Sequence, residues 1–398
     1  MITLLLFISL LQDNPLDSGK AKLKKLDLEG AAAEFAKAVE ADGKDKAARA
    51  ALADALFRLG DYEKAEQEFG KAIELGATAE LHAWRGLVRL RRGQAKEAEK
   101  DVEAALGLDK GCVLALVDRA EIELAGGDFA ACDATLKAAL KLEPANPEGL
   151  YLRAIIKSAQ GNPRGSLRDL DKAAEADPLH IDARVMRASA KSDSGDAEGA
   201  LTEMDELVKI RPTGDGLYAL RGMIRARAKD TDGALADYTK AIELKPTAEN
   251  WLRRAGFWRS TAKDQEKAVA DYTEALKLQP ENVTALTGRG YAYCRVKDFK
   301  PAGKDMARAY ELKPEDPWGA YNLACFHGLR AKELEGEDRD KAINRAFQWV
   351  TEAGKRGYKK LACGCHKSNL EHLRTDGDLE PLHADPRWKD ASAADESD

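Results

Sequence analysis

Small apolar residues recur along the chain with helical spacing, and whole helical phrases recur every thirty-four residues. The stretch DGALADYTKAIELKP at 232–246 returns as EKAVADYTEALKLQP at 266–280. Within each phrase, apolar positions lie three, four and seven residues apart, which places them on one face of an α-helix. The pattern therefore predicts an all-α fold of amphipathic helices arranged in an internal repeat.

Three columns of the repeat show how the helices are joined. The first column holds only glycine or alanine: Gly86, Ala120, Ala154, Ala188, Gly222, Gly256, Gly290 and Ala324. The second column holds small residues: Ala98, Cys132, Ser166, Ala200, Ala234, Ala268 and Ala302. The third column is proline: Pro144, Pro178, Pro212, Pro246, Pro280 and Pro314. Antiparallel helices joined by a short turn approach most closely where side chains are small, and proline cannot continue a helix. Each unit is predicted to be a helix–turn–helix that ends before the proline.

These columns resemble the tetratricopeptide repeat (TPR) family. The resemblance implies a right-handed superhelical solenoid of about ten repeats, in which the first helix of each pair lines a concave groove. Nine units are expected over residues 13–316. Residues 317–398 are similar to the closing unit of bacterial TPR proteins, followed by a capping segment and a disordered acidic tail. An insertion at 330–340 is expected to lengthen the turn of this closing unit. The residues expected to cover the last repeat are Leu373, Leu379, Leu382 and Trp388.

A basic column and an acidic column lie inside the same pattern. An arginine precedes most residues of the first column, and a carboxylate lies on the buried stripe of the second helix. Because an unpaired buried charge is costly, we predict a two-pronged ion pair within each unit. The predicted structural pairs are Arg85 with Asp101, Arg153 with Asp169, Arg187 with Glu203, Arg221 with Asp237, and Arg289 with Asp305. The alternative is an arginine column that faces the groove and binds anions. Asp271 faces Ala255, so Arg254 or Arg253 is expected to reach it.

The predicted groove is most aromatic at its C-terminal end, on the first helices of the last three units. By register, the candidate partner-binding residues are Arg253, Phe257, Thr287, Tyr291, Trp318 and Tyr321. Aromatic anchors beside arginine are typical of peptide-binding hot spots. The alternative is that half of these residues pack on neighbouring helices. The lysine and asparagine pattern with which some TPR domains clamp a C-terminal carboxylate is missing, which disfavours a chaperone tail as ligand.

Composition and motifs narrow the function. Charged residues make up 33% of the chain and aromatic residues 6%, as in long amphipathic helices. The formal charge of -6 comes from interleaved acids and bases, so the cationic stripe that nucleic acid requires is missing. There is no phosphate-binding glycine loop, G-x-S-x-G, H-E-x-x-H or kinase signature. We expect a non-catalytic interaction scaffold with a protein or peptide partner and no cofactor; its oligomeric state stays open.

The N-terminal run MITLLLFISLLQ at 1–12 is apolar but too short to span a bilayer core of about 30 Å. It resembles the apolar region of a signal peptide, although only the α-amino group precedes it as a positive charge. We expect export to the periplasm or cell envelope. The alternative is a cytoplasmic protein whose uncleaved segment packs on the first helix pair.

Near the C-terminus, a cluster of thiols and imidazoles gives the alternative function. The cluster consists of Cys363, Cys365, His366, His372 and His383. These are zinc-ligand types, but C-x-C-H lacks the two-residue gap of common zinc knuckles. We therefore expect no metal, and keep a metal- or redox-linked accessory protein acting through 363–383 as the alternative. Cys294 and Cys325, on adjacent first helices, are expected to be free thiols.

Overall fold

The computed structural model describes residues 14–358 and 373–391, and it is all-α there, as predicted. Twenty long helices follow one another as ten pairs in these residues. They are α1 (Pro15–Lys24), α2 (Leu28–Ala41), α3 (Lys46–Leu59), α4 (Tyr62–Glu74), α5 (Ala79–Arg91), α6 (Ala95–Leu108), α7 (Val113–Ala125), α8 (Phe129–Leu142), α9 (Pro147–Ala159), α10 (Pro163–Ala176), α11 (Ile181–Asp193), α12 (Ala197–Ile210), α13 (Asp215–Arg227), α14 (Thr231–Leu244), α15 (Ala248–Phe257), α16 (Gln265–Leu278), α17 (Val283–Arg295), α18 (Phe299–Leu312), α19 (Pro317–Lys332) and α20 (Gly336–Lys355). A 3₁₀ turn (Gly377–Leu379) and two short helices, α21 (Glu380–His383) and α22 (Trp388–Ala391), complete the description.

The expected signal peptide at 1–12 and the expected disordered tail at 392–398 lie outside the described residues. In the part of the chain that is described, no helix is both long and apolar enough to cross a membrane.

In most pairs the turn is built by a residue with a left-handed backbone followed by an aspartate or asparagine that caps the next helix. Gly127 has φ 81°, and the Asp128 side chain accepts the Ala131 N–H at 3.0 Å. Gly195 and Asp196 repeat the arrangement two pairs later. Gly195 has φ 92°, and the Asp196 side chain accepts the Gly199 N–H at 2.9 Å. Glycine adopts this backbone without steric cost, and aspartate satisfies an N–H that the first helical turn leaves open. The Gly-Asp pairs of the sequence therefore end one helix and begin the next.

The chain divides into two compact units, unit 1 (Met1–Ile224) and unit 2 (Arg225–Asp398). In unit 1, Leu28 at the start of α2 shares a buried cluster with Leu179, Ile181 and Leu207. Nearby, Arg58 Nη1 donates to Asp177 at 2.7 Å, across 119 positions of the chain. The first repeats of unit 1 thus contact repeats that are not their sequence neighbours.

Unit 2 ends in an aromatic core that carries the predicted cap. Leu373, Leu379 and Leu382 are at most 2% exposed, and Trp388 packs against Phe347. The insertion at 330–340 does not lengthen the turn as expected. It lies largely within the end of α19 and the start of α20, which have 16 and 20 residues.

The acidic column is buried, and arginine reaches it from the first helix of the same pair. Arg153 donates from Nε and Nη2 to the two carboxylate oxygens of Asp169, both at 2.8 Å. Further bonds join Arg85 to Asp101 at 2.9 and 2.6 Å, Arg289 to Asp305 at 2.7 and 2.8 Å, and Arg187 to Glu203 at 2.5 Å. A second cation one turn later adds to some pairs, as when Lys157 Nζ donates to Asp169 at 2.6 Å.

Two positions of the column depart from the simple scheme. Arg254, and not Arg253, reaches Asp271, with bonds of 2.8 and 2.9 Å. Arg225 Nη1 donates to Asp237 at 2.8 Å from one turn beyond the expected arginine. Arg221 donates to Asp205 at 2.8 Å within unit 1. Arg221 and Asp237 lie in different units, and their pairing stays a prediction.

Candidate partner-binding site

A cavity of about 540 Å³ in unit 2 is lined by the helix face that the repeat register assigns to the groove. Four of the six candidate residues line it: Thr287 and Tyr291 from α17, and Trp318 and Tyr321 from α19. In each helix these residues are three or four positions apart, so their side chains project from one face. The register of the repeat thus brings them to a common surface.

The other two candidates lie elsewhere. Phe257 is 4% exposed and packs between Tyr238 and Trp258, with ring centroids 5.6 and 5.7 Å away. Phe257 therefore does not face a partner as expected, because its ring is buried against these two neighbouring rings. Arg253 is exposed and pairs with Glu249 one turn earlier on α15, at 2.5 Å. Neither residue lines the cavity.

Tyr291 has two arginine neighbours that the sequence pattern did not identify. The guanidinium carbon of Arg259 is 5.5 Å from the Tyr291 ring centroid, and that of Arg295 is 4.7 Å away. Arg295 also donates to the Tyr291 hydroxyl. Arg259 projects from a π-helical turn (Trp258–Ala262) that follows α15, and Arg295 is four residues beyond Tyr291. A cation at that helical spacing from an aromatic residue was the available signal.

The chain's own C-terminal segment forms one wall of the cavity. Asp378 accepts from Arg295 Nη2 at 2.7 Å, and Lys332 Nζ donates to the Gly377 carbonyl oxygen at 2.7 Å. A Cβ built on Gly328 of α19 would lie 2.2 Å from the Asp378 carbonyl oxygen. Only glycine permits this close approach of backbone to helix. The cap therefore contributes carboxylates to the groove as well as covering the last repeat.

Cys325, Asp376 and Asp378 form a group of metal-ligand side chains within the described residues. The Sγ of Cys325 and the carboxylates of Asp376 and Asp378 have ligand atoms within 4.8 Å of one another. Burial, and then the two neighbouring carboxylates, hold the pKa of the Cys325 thiol well above its usual range. Asp376 already accepts from the Tyr321 hydroxyl, and Asp378 from Arg295. The three groups are thus engaged in a protein hydrogen-bond network, which any cation would have to disrupt.

Unit 1 has a cavity of its own, of about 430 Å³, walled by Tyr62, Trp84 and several charged residues. Its charges largely satisfy one another. Glu148 accepts from Arg91 and lies 2.9 Å from Nε2 of His180, and Arg58 pairs with Asp177. Because these charged groups already pair with one another, we take the unit 2 cavity as the stronger candidate for a partner.

Most of the thiols and imidazoles on which the metal- or redox-linked alternative depends lie outside the described residues. Cys363, Cys365, His366 and His372 belong to 359–372, which lies outside the described residues. His383 is described, and its ring is 4.7 Å from that of Trp388. Nothing in the described residues or in the comparisons below supports the metal- or redox-linked alternative.

Family comparisons cover most of the chain. A model described as the Psidin N-terminal TPR repeat region matches residues 190–345. Two tetratricopeptide repeat models match residues 23–86, and residues 85–147 with 151–215. Among curated proteins, none matches the chain.

Several solved structures are similar to parts of the chain at low sequence identity. A tetratricopeptide repeat protein from Parabacteroides merdae is 20% identical and has a TM-score of 0.46, over 62% of this chain and 94% of its own. The human IFIT1 dimer with PPP-AAAA is 20% identical, with a TM-score of 0.45, over 75% of this chain and 72% of its own. YrrB, described as a TPR protein with an unusual peptide-binding site, is 22% identical, with a TM-score of 0.30, over 43% and 90%.

The family assignment rests on the three repeat models, which together extend from residue 23 to residue 345 with a gap of three residues at 148–150. Their matches agree with the thirty-four-residue columns of the sequence and with the paired helices of the structure. Folds of this type typically act as protein-interaction scaffolds without catalysis. The chain is a tetratricopeptide repeat protein.

Proposed function

We propose that this protein is a non-catalytic scaffold that binds an extended peptide segment of a protein partner in the unit 2 cavity. The observation that carries the proposal is the placement of Tyr291 and Trp318 in one cavity beside Arg259 and Arg295. Large rigid rings and guanidinium groups are enriched among the residues that dominate binding energy at protein interfaces. A cavity of about 540 Å³ accommodates a few side chains and not a folded domain, which favours a peptide.

The surrounding polar groups support a peptide ligand in particular. Thr284, Thr287 and Asn322 line the same cavity. A peptide backbone presents both N–H donors and carbonyl acceptors, and hydroxyl and amide side chains can bond to either. Asp376 and Asp378 close one end, so a bound segment would run along α17 and α19 from that acidic end.

Selection of peptides on the purified chain tests the proposal. Peptides from a random displayed library that bind the wild-type chain are synthesised, and their affinities are measured by fluorescence anisotropy for Tyr291→Ala. The loss of an aromatic anchor at the centre of a site costs about 2 kcal/mol or more, so we expect binding to weaken at least roughly thirtyfold.

The matched control is Tyr218→Ala in unit 1. Tyr218 is also a half-buried tyrosine with an arginine over its ring, Arg221 at 5.3 Å, but it is not in the cavity. Its truncation should leave peptide affinity unchanged. Equal binding by Tyr291→Ala and the wild-type chain would show that the unit 2 cavity is not the site.

A further inference from the structure

Helix α19 separates the candidate peptide site from a second, larger cavity of about 1130 Å³. Tyr321 and Cys325 line only the first cavity, whereas Leu323, His327 and Arg330 line only the second; Phe326 borders both. At about 100° per residue, the two sets project from opposite faces of the helix. The second cavity is therefore a different surface from the groove that the TPR resemblance implies for ligands.

Aromatic side chains form the floor and one wall of this second cavity. Phe326 is 5% exposed and lies 6.3 Å from Phe299 of α18. Tyr310 of α18 meets Trp349 of α20 edge to face, with ring centroids 4.9 Å apart. An apolar wall between three helices offers a seat for an apolar side chain of a ligand.

The rim of the cavity is basic. It is formed by Lys300 and Lys304 of α18, Arg330 of α19 and Arg345 of α20. Within residues 14–358 and 373–391, no carboxylate lies within ion-pair distance of these four cations. The two carboxylates of the same cavity are already paired, Glu311 with Arg308 and Glu352 with Arg356. We call this surface, with its four cations and aromatic floor, the basic groove.

Most other arginines of the described residues reach a carboxylate, including Arg308 of α18, which donates to Glu281 at 2.6 Å. Four like charges around one cavity repel one another and attract an anionic ligand. The charge pattern therefore indicates a ligand that supplies several negative charges.

His327 is independent support for a ligand, because one buried nitrogen of its ring has no hydrogen-bond partner among the described residues. It is 6% exposed, and its Nδ1 has no hydrogen-bond partner among the described residues. Burial, and then the nearby Arg345 and Arg330, lower the pKa of His327 to about 4, so its ring is neutral at pH 7. A buried polar atom without a partner is unfavourable, and a ligand that bonds to it would remove that penalty.

We propose that the basic groove is a docking site for an acidic segment of a protein partner. Carboxylates of the segment bind Lys300, Lys304 and the two arginines, while one apolar side chain packs against Trp349 and a polar group bonds to His327. A small inorganic anion would leave the aromatic floor uncovered. These four cations lie around one groove, and the chain as a whole has a net charge of -6. The long phosphate backbone of a nucleic acid would need cations spread over a longer surface.

The test uses the full chain and a fluorescein-labelled synthetic peptide of alternating glutamate and phenylalanine. Its affinity is measured by anisotropy at low and at physiological salt. For Lys300→Glu/Lys304→Glu we expect binding to weaken about tenfold or more at low salt, with a shallower salt dependence. His327→Leu should also weaken binding without lowering the thermal midpoint of unfolding, since it removes an unpartnered polar atom.

Two controls separate this proposal from general charge effects and from the peptide site. Lys240→Glu/Lys277→Glu makes the same charge change on exposed second-helix lysines of unit 2, where the ammonium groups contact Glu243 and Glu274, and should bind like wild type. Tyr291→Ala should bind the acidic peptide normally, because Tyr291 is on the other side of α19.

Several results would overturn the proposal. One is equal binding of the acidic peptide by Lys300→Glu/Lys304→Glu and by the control pair. A second is equal affinity for a peptide in which lysine replaces glutamate. A third is displacement of the acidic peptide by tripolyphosphate or by oligouridylate at lower concentrations than the unlabelled peptide requires, which would identify a small-anion or nucleic-acid site instead.

Discussion

The ion pair between Arg289 and Asp305 allows a direct test of how the charged columns stabilise the array. Asp305 is 7% exposed, and both of its oxygens accept from Arg289, at 2.7 and 2.8 Å. Arg289→Leu removes both bonds and leaves a buried carboxylate without its main partner. A second change, Asp305→Leu, removes the stranded charge.

The expected magnitude follows from the burial of the two side chains. Breaking a fully buried ion pair costs about 3–5 kcal/mol. The Arg289 side chain is 20% exposed, so water reaches the site in part, and we expect Arg289→Leu to lower the free energy of unfolding by about 2–3 kcal/mol. The double variant should recover to within about 1 kcal/mol of wild type, because apolar residues replace a buried pair at little cost.

Tryptophan fluorescence in urea is a suitable assay, since unit 2 contains five of the six tryptophans and unit 1 only Trp84. For a unit of this size, 1 kcal/mol moves the thermal midpoint by about 2–4 °C, so Arg289→Leu should melt roughly 4–12 °C lower. Arg253→Leu is the matched control, because Arg253 forms an exposed pair with Glu249 that should be worth less than about 1 kcal/mol. A double variant no more stable than Arg289→Leu would refute the pairing argument.

Three further predictions concern buried groups. Asp118 is fully buried with both oxygens unpartnered among the described residues, and burial raises its pKa well above the usual range. Because the folded state holds the proton more tightly, wild-type stability should fall as pH rises above about 4, and Asp118→Asn should lose less in urea titrations from pH 5 to 9. For His327 the pH dependence of stability runs in the opposite direction. Its pKa, lowered to about 4, should cost up to about 3 kcal/mol of stability as pH falls from 6.5 to 4, and His327→Leu should abolish this component of acid unfolding. Gly288→Ala should destabilise unit 2, measured by its thermal midpoint, because the new Cβ would lie 2.4 Å from the ring of Tyr272; a midpoint equal to wild type would mean that the ring moves aside freely.

The columns of the sequence were sufficient to predict the helix pairs and most of the ion pairs. A thirty-four-residue period fixes which residues face each other across a pair, since helix geometry then repeats in every unit. This is why Arg153 and Asp169 could be matched before their contact was seen. Where the column position was empty, at Ala255, the columns left Arg254 and Arg253 as alternatives, and Arg254, from the preceding position, forms the bond to Asp271.

Contacts between distant repeats could not be predicted in this way. A periodic sequence describes neighbours, whereas Arg58 meets Asp177 across 119 positions and Arg295 meets Asp378 across 83. Phe257 shows the same limit on a smaller scale. Its register is that of the groove, but its ring is buried by Tyr238 and Trp258, whose positions depend on local packing and on the π-helical turn that follows.

The two proposed sites lie on opposite faces of α19 and differ in how their cations are paired. On one face, the acidic cap occupies Arg295, so a peptide there meets a site whose strongest cation is already paired. On the other face, Arg330 and Arg345 have no carboxylate partner among the described residues, so an acidic ligand there displaces no protein group. The insertion at 330–340 extends the end of α19 and the start of α20, and its first residue, Arg330, is one of the four cations of the basic groove.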